Sequence, residues 1–504
     1  MAWSISKSKS EFYLFILSVV ICSTARYGGQ SSAFTANTHK LQQQQQQQQQ
    51  RSISSVSRSA TTTTTTTTSS ETTTMASSSP PPSSDIDAIR EQAALYIKNK
   101  QLSQALQAYD TILFLLPKSS CDVITDVSFQ RAFCLSQMGY VDEAIHGFQT
   151  IMTMNNKQDD TTTTTTKTQN QNQQKKRPSK TEINLANIML EGRGKKSSAL
   201  EIYQRCGTES PMVILSGICL DSLGRHKEAR ECYQHALMLK GGDSDYEAMI
   251  HLCINEFRRL NTNDESDDIS TDDSIEDVKK NMEHMLEKVE RSQHSSHIAT
   301  SWKYIQQQQQ QQQIWSSPSV HYFTYDMMQM AMQHADLEDG LVLEFGVYYG
   351  KTIRMMAEYF PKDTTTIHGF DTFEGLPSDW FNNKKGSYST QGTIPSAPDN
   401  VKFYKGLFSD TLPVFLKEQP TTDRRPIRLM NIDCDMYEST KDVFDLVGSR
   451  VVPGTIIVFD EYIGNPNWKK DEYKAFQEAT IKYGWNYEYI GISMVSQQAI
   501  VKII

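Results

Sequence analysis

The chain has 504 residues, with 50 Lys or Arg against 59 Asp or Glu, for a formal net charge of −9 at neutral pH. Apart from Lys-Lys-Arg at 175–177 no dense basic stripe occurs, so the electrostatic footprint of a nucleic-acid partner is missing. Eight cysteines without CxxC pairs exclude a zinc ribbon or a disulfide scaffold, and Cys134, Cys219 and Cys232 fall inside apolar helical patterns, as buried reduced thiols do. Less of the chain can fold than its length suggests. Glutamine tracts at 42–50 and 306–313 and threonine tracts at 61–68 and 161–166 bury nothing and are expected to be disordered.

At the amino terminus, Lys7 and Lys9 precede an apolar run at 12–21 that ends in Ser-Thr-Ala at 23–25, which resembles a signal peptide. The run falls short of the roughly 20 apolar residues that cross a bilayer, so no membrane span is expected after processing. No acidic residue occurs over 12–70, while Arg26, Lys40, Arg51 and Arg58 lie among Ser and Thr, as in transit peptides. Ser-Ser-Ala-Phe-Thr-Ala at 31–36 is similar to the Ala-Phe junction of bipartite presequences in algae whose plastids lie inside the secretory system. Residues 1–85 are therefore expected to be a targeting and low-complexity region that delivers the protein to a plastid. Plain secretory entry is the alternative, as is a cytoplasmic location if Met75 is the true start.

Over 86–260 apolar residues recur at helical spacing, with glycine and polar punctuation between segments. Ala93, Tyr96, Ala105, Tyr109 and Pro117 occupy small, aromatic and terminal-proline positions that resemble a tetratricopeptide unit. The pattern returns at Ala132, Gly139, Ala144 and Phe148, then weakly at Ala199, Tyr203 and Pro211, and again at Gly217, Gly224, Ala229, Tyr233 and Ala236. Small residues let paired helices approach while the aromatics fill the groove between hairpins. A Thr/Gln-rich insert at 157–180 interrupts the array, and an ordinary helical bundle is the alternative. The repeat resemblance implies a concave surface for a protein or peptide partner. Residues 261–314, which open with an acidic run, continue into a charged helix and end in polyglutamine, are expected to be a solvated linker.

From about 315 to 504 short β-rich runs alternate with helical stretches, which predicts a parallel sheet with helices on its faces. Strands are expected at 341–345, 366–370, 401–404, 427–432, 455–459, 487–490 and 498–503. Ligands of such sheets bind at the carboxyl ends of the strands. At the first end Glu344 is followed by Gly346 and Gly350, two glycines that let a ligand approach a helix start. Asp371, at the second strand end, is placed to accept hydrogen bonds from ribose hydroxyls. An acid before the first glycine, with no middle glycine and no Walker lysine, is the pattern of S-adenosylmethionine-dependent methyltransferases. The fourth end carries Asn-Ile-Asp-Cys-Asp at 431–435, where one acid would suffice to cap the following helix.

Five blocks in order, LEFGVYYGKTIR, HGFDTFEGLPSDW, VKFYKGLFSDTLPVFL, NIDCDMYESTKDV and GTIIVFDEYIGNPNWKKDEYKAFQEA, resemble the macrocin and novobiocin-type sugar O-methyltransferases. The resemblance implies a seven-stranded Rossmann-like class I methyltransferase sheet whose last strand is antiparallel. It further implies Gly346 and Gly350 along the methionine part of S-adenosylmethionine, Ser409 and Asp410 on its adenine side, and a divalent cation held by Asp433, Asp460 and Glu461. Hard oxygen ligands of this kind suit Mg2+. Asp435 is left to act as general base toward a hydroxylated small-molecule acceptor. Cys434 and Glu461 depart from the family's common glycine and aspartate. The polar loop with Trp380, Phe381 and Tyr388 reads as a lid or as a disordered insertion, and Tyr462 and Trp468 as acceptor-side or core aromatics. The rival reading of the chain is a repeat scaffold whose methyltransferase fold is catalytically inactive.

Overall fold

The computed structural model describes residues 83–98, 101–117, 120–162, 178–205, 209–239, 245–261, 275–292, 295–311, 319–320, 323–381, 383–419 and 425–504, all within one compact unit. The targeting region, most of the insert and the acidic run at 262–274 lie outside the described residues. Among the described residues no helix is long and apolar enough to cross a membrane.

The first part is helical throughout, with helices Ser83–Lys98, Leu102–Leu115, Cys121–Gln137, Val141–Thr162, Lys180–Arg193, Lys196–Arg205, Ser210–Ser222, His226–Leu239 and Tyr246–Asn261. Each packs on the next. The repeat positions explain why: Ala93, Ala105, Ala132, Ala144, Ala199, Ala229 and Ala236 are all buried, and the rings of Tyr109, Phe148, Tyr203 and Tyr233 fill the spaces between them. Tyr233 lies so close to Gly217 that a Cβ there would sit 2.5 Å from the ring. After the insert, Ser179 and Glu182 restart the helical path with a reciprocal capping box, and left-handed Gly194 ends that helix. These are tetratricopeptide-like helical repeats.

The charged helix expected after the acidic run is present as Ile275–Glu290, and a second helix, Ser296–Gln311, takes in glutamines 306–311, which corrects the disorder expected of that part of the tract. Val278, Met282, Leu286 and Val289 form an apolar stripe on one face of the first, and Ala299, Trp302 and Ile305 do the same on the second; all are buried. The charged residues that dominate the composition occupy the other faces, so averaging over the segment hides the stripe. Trp302 meets Phe257 edge to face at 5.0 Å.

The second part is a sheet of eight strands in the order β1-β7-β8-β6-β5-β2-β3-β4. They are β1 (Ser319–Val320), β2 (Leu341–Phe345), β3 (Ile367–Asp371), β4 (Val401–Lys405), β5 (Ile427–Ile432), β6 (Ile456–Phe459), β7 (Tyr487–Ile492) and β8 (Ala499–Ile503). Only β8 runs antiparallel to its neighbours. The seven expected strands are present in a class I methyltransferase arrangement. The two-residue β1, pairing with β7 at the edge, is an addition too short to show a pattern in sequence. Side chains of β2 alternate between two cores: Leu341, Leu343 and Phe345 face one, and Val342 the other with Ile353, Met356 and Leu429. The first of these cores continues into Tyr203, Trp302 and the rest of the helical part, so helices and sheet share apolar packing.

Trp302→Ala is expected to lower the unfolding free energy by about 3–5 kcal/mol in urea titrations, the range for truncating a buried aromatic. A solvated linker would lose nothing.

Candidate active site

The chain leaves β2 outward to β3 and β4 and then returns to the other side of β2 for β5 and β6. Connections on either side of such a reversal diverge and leave a crevice at the carboxyl ends of β2 and β5. Two backbones meet there. Gly346 has φ +89°, and a Cβ on it would lie 1.6 Å from the carbonyl oxygen of Asp433, so the turn after β2 can pass the end of β5 only as glycine. Gly350, with φ +78°, caps the helix Lys351–Tyr359. Tyr348, Phe373 and Asp435, in the loops after β2, β3 and β5, also hold left-handed φ values of 52°, 58° and 65°. Side chains other than glycine keep that conformation only where their surroundings impose it.

Asp371 imposes part of it. Its Oδ2 accepts from the amides of Val347 and Tyr348 at 2.8 and 2.7 Å, and its Oδ1 accepts from Phe373 N at 2.7 Å. The carboxylate expected to face ribose thus ties the glycine loop to the end of β3. A carboxylate offers about four lone-pair sites, so one acceptor position is left for a ligand. Glu344 is fully buried, bonded to the Thr352 hydroxyl and to Asn431 Nδ2 at 3.2 Å. Burial, outweighing those two bonds, pushes its carboxyl up to about 8. Its place is inside the wall of the crevice, where its bond to Thr352 supports the helix start. Ser409 and Asp410 are exposed in the first turn of the helix Phe408–Glu418, beyond the end of β4.

Asp433, Asp460 and Glu461, at the ends of β5 and β6, converge, with one carboxylate oxygen from each within 4.8 Å of the others. Asp460 Oδ1 accepts from Gln498 Nε2 at 2.6 Å. Burial first, then repulsion from Asp460 and Asp435, holds Asp433 well above the carboxylate range. Asp460 is raised to about 6 by burial against the opposing Gln498 bond and the charge of Lys351. Glu461 is raised by burial and by Asp435, Asp460 and Asp433. A further acid went unread in the sequence. Glu472, at the start of the helix Glu472–Tyr483, is fully buried, and its Oε2 accepts from Glu461 N at 3.3 Å. Burial and the nearby Asp460 and Asp435 raise it as well. Glu461 Oε2 and Glu472 Oε1 are buried with no hydrogen-bond partner among the described residues. Its position eleven residues after Glu461, inside a helix, gave no local signal.

Asp435 stands outside the trio. Met436 N donates to Cys434 O at 2.6 Å across it, and with φ 65° it forms a γ-turn of the strained hand. Cys434 is buried with its Sγ 3.4 Å from Thr440 Oγ1, filling space that a glycine would leave open. The long loop after β3 packs over this end of the sheet. Trp380 is buried, donates from Nε1 to Asp471 Oδ2 at 3.3 Å, and clusters with Leu376 and Met436, while Tyr388 meets Tyr348 edge to face at 5.9 Å. Tyr462 and Trp468 are core residues. The first shares a hydroxyl contact with Tyr489 at 2.9 Å, and the second packs on Tyr304 and Tyr473.

A carboxyl raised in the folded chain keeps its proton where the unfolded chain releases it. The stability it contributes is full below pH 4.5 and is lost as pH rises toward 8 for Glu344. Without added metal, the protein is therefore expected to lose stability over this window, and Glu344→Gln to flatten the loss, as measured by urea unfolding at several pH values. A slope unchanged in the variant would contradict the burial argument.

Residues 343–462 match the profile of a family described as a methyltransferase domain, a stretch that runs from β2 to the loop after β6 and holds the glycine loop and both acid-bearing strand ends. No curated protein matches the chain. Among solved structures it is similar to CalS11, a TDP-rhamnose 3'-O-methyltransferase of calicheamicin biosynthesis, at 20% identity over 46% of this chain and 96% of that one, with a TM-score of 0.27. It is similar to the O-methyltransferase NovP at 20% identity over 35% and 78%, with a TM-score of 0.26. MamA from Desulfovibrio magneticus RS-1 is similar at 14% identity over 42% and 97%, with a TM-score of 0.30. The carboxy-terminal part of this chain thus contains a stretch similar to a methyltransferase domain.

Proposed function

We propose that the chain is an S-adenosylmethionine-dependent O-methyltransferase, assisted by Mg2+, that acts on a hydroxyl of a sugar, glycoside or similar small molecule. The observation that carries the reading is the convergence of Asp433, Asp460 and Glu461 beside the glycine loop, with buried carboxylate oxygens on Glu461 and Glu472 left unpartnered. Burying so much like charge is unfavourable unless a cation joins it. The donors are all carboxylates, which suits a hard divalent ion and gives a soft one nothing to prefer.

Asp433, Asp460 and Glu461 would hold the cation, and Glu472 would fix the backbone of Glu461. The glycine loop, tied down by Asp371, would receive the methionine part of the cofactor, with the remaining acceptor position of Asp371 toward a ribose hydroxyl and Ser409 and Asp410 toward the adenine side. When bound, the cation lowers the pKa of a hydroxyl beside it, and the cofactor supplies a methyl group whose sulfur leaves as a neutral thioether. Asp435, in its strained turn next to the trio, takes the hydroxyl proton. The loop bearing Trp380 and Tyr388 covers this end and keeps water from the reacting oxygen.

Calorimetric titration with S-adenosylmethionine, with and without Mg2+, tests the reading, and cofactor binding without turnover on any hydroxylated library would favour a retired scaffold. Asp433→Asn is expected to weaken Mg2+ binding, with added metal restoring part of the rate. Asp435→Asn is expected to keep both affinities and lose about 10²- to 10⁴-fold in single-turnover rate, the worth of a positioned general base. Identical Mg2+ responses in the two variants would contradict the division of roles.

A further inference from the structure

The helix Lys351–Tyr359 leaves the glycine loop and runs directly against the helical repeats. We propose that Arg354 is a positioning residue for the loop 346–350, and that the repeat turn at 138–140 supplies much of its grip. The inference rests on the methyltransferase reading above, because that reading puts the cofactor on this loop.

Arg354 joins three segments that are remote in sequence. Its Nη1 donates to Tyr349 O, inside the glycine loop, at 2.7 Å, and to Ser396 O, in the long loop after β3, at 3.4 Å. Its Nη2 donates to Gly139 O at 2.8 Å and Met138 O at 3.3 Å, both in the turn between the helices Cys121–Gln137 and Val141–Thr162. The guanidinium carbon also lies 4.6 Å from the ring centre of Tyr140. A planar fork can serve these acceptors and stack on a ring together, whereas a lysine ammonium offers a single point of charge.

The turn is shaped for this contact. Gly139 has φ +72°, and a Cβ on it would lie 2.5 Å from Lys351 Cβ, so the repeat backbone rests against the first residue of the methyltransferase helix. Two more contacts act on the same few residues. Ser103, from the helix Leu102–Leu115, approaches the Tyr349 hydroxyl at 3.1 Å from Oγ and 3.3 Å from N, while Leu102 and Met138 bury the ring. Glu191, from the helix Lys180–Arg193, stands 3.7 Å from Lys351 Nζ. The repeats therefore hold the residues on both sides of Gly350, next to Tyr348, whose left-handed backbone needs holding. The glycine that marks the second repeat unit also serves as a dock for the cofactor loop.

The test uses the full-length chain carrying Gly139→Ala, Arg354→Lys, the milder Ser103→Ala, or, as control, Phe114→Ser at a site 87% exposed in the repeats. Amide hydrogen exchange over 346–352 is measured without ligand, affinity for S-adenosylmethionine by calorimetry, and the thermal midpoint alongside. We expect faster exchange over this loop in all three contact variants, with a midpoint close to that of the control in Ser103→Ala and Arg354→Lys and a lower one in Gly139→Ala, whose added Cβ meets Lys351. For Gly139→Ala and Arg354→Lys we expect cofactor affinity about tenfold weaker, the scale of one lost hydrogen bond to a charged group. Should either of those two variants fail to fold, Ser103→Ala decides through exchange alone. Unchanged loop exchange in the contact variants that fold would overturn the inference. A wild-type chain that binds no cofactor would instead count against the methyltransferase reading, and the exchange result would still judge the grip.

Discussion

Carboxylates crowded together at the ends of two adjacent central strands, Asp433 and Asp460 half-buried and Glu461 buried, are the constraint on which the rest of the site depends. Asp433 and the pair Asp460-Glu461 are brought together because β5 and β6 are parallel neighbours in register, Ile432 opposite Phe459. Glu472 closes the group from the next helix. Each is pushed toward its protonated form by burial, and Asp433, Glu461 and Glu472 also by neighbouring acids, while the opposing groups are few: the Gln498 amide and Lys351 toward Asp460, and the Glu461 amide toward Glu472. A fold that needed these positions only for packing would gain by filling them with apolar side chains, since buried ion groups are at best neutral for stability. Their cost is understandable if the site is built to receive positive charge.

The helical part bears on the same end of the sheet from two sides. One contact is the 138–140 turn on the helix after the glycine loop. The other comes from Ser296–Gln311: Ser301 Oγ accepts from Gly464 N at 3.1 Å, and Tyr304 packs on Trp468 and Tyr473, in the segment that follows Glu461. The loop carrying Glu461 and the glycine loop are thus both braced by residues from outside the sheet. Ion pairs add to the contact, with Lys196 3.0 Å from Asp326 and Arg193 3.2 Å from Glu358. The half-exposed Arg193 pair contributes little by itself. The shared apolar core does more, because it removes large surface from water irrespective of geometry.

What could be read in sequence was whatever a local pattern expresses. The strands β2, β5 and β6 are short apolar runs ending in a glycine or an acid, and their periodicity and punctuation coincide. The trio Asp433, Asp460 and Glu461 came from the family resemblance, whose matching blocks put these acids at the first or second position after β5 and β6. Glu472 was not legible, since nothing local distinguishes a buried helical glutamate from a solvated one. The second task of Asp371, tying down the glycine loop, was hidden for a similar reason, because two of the three amides that claim its oxygens belong to another strand's loop. The charged helix before the glutamines was expected, but the packing of the helices over 275–311 was hidden by composition, charge and glutamine outweighing an apolar stripe of few residues. Gly139 and Arg354 sat in motifs already read for other purposes, and only the packing of the two halves brings them together.

The most direct measurement is the thermal midpoint of the full-length chain at pH 8 across a magnesium titration, with sodium chloride at matched ionic strength beside it. A cation that joins the clustered acids binds only the folded chain and must stabilise it by mass action. The account predicts a midpoint that rises with magnesium beyond the salt control and a rise that is lost in Asp433→Asn. Equal shifts from magnesium and from sodium, or a full magnesium effect in the variant, would contradict it.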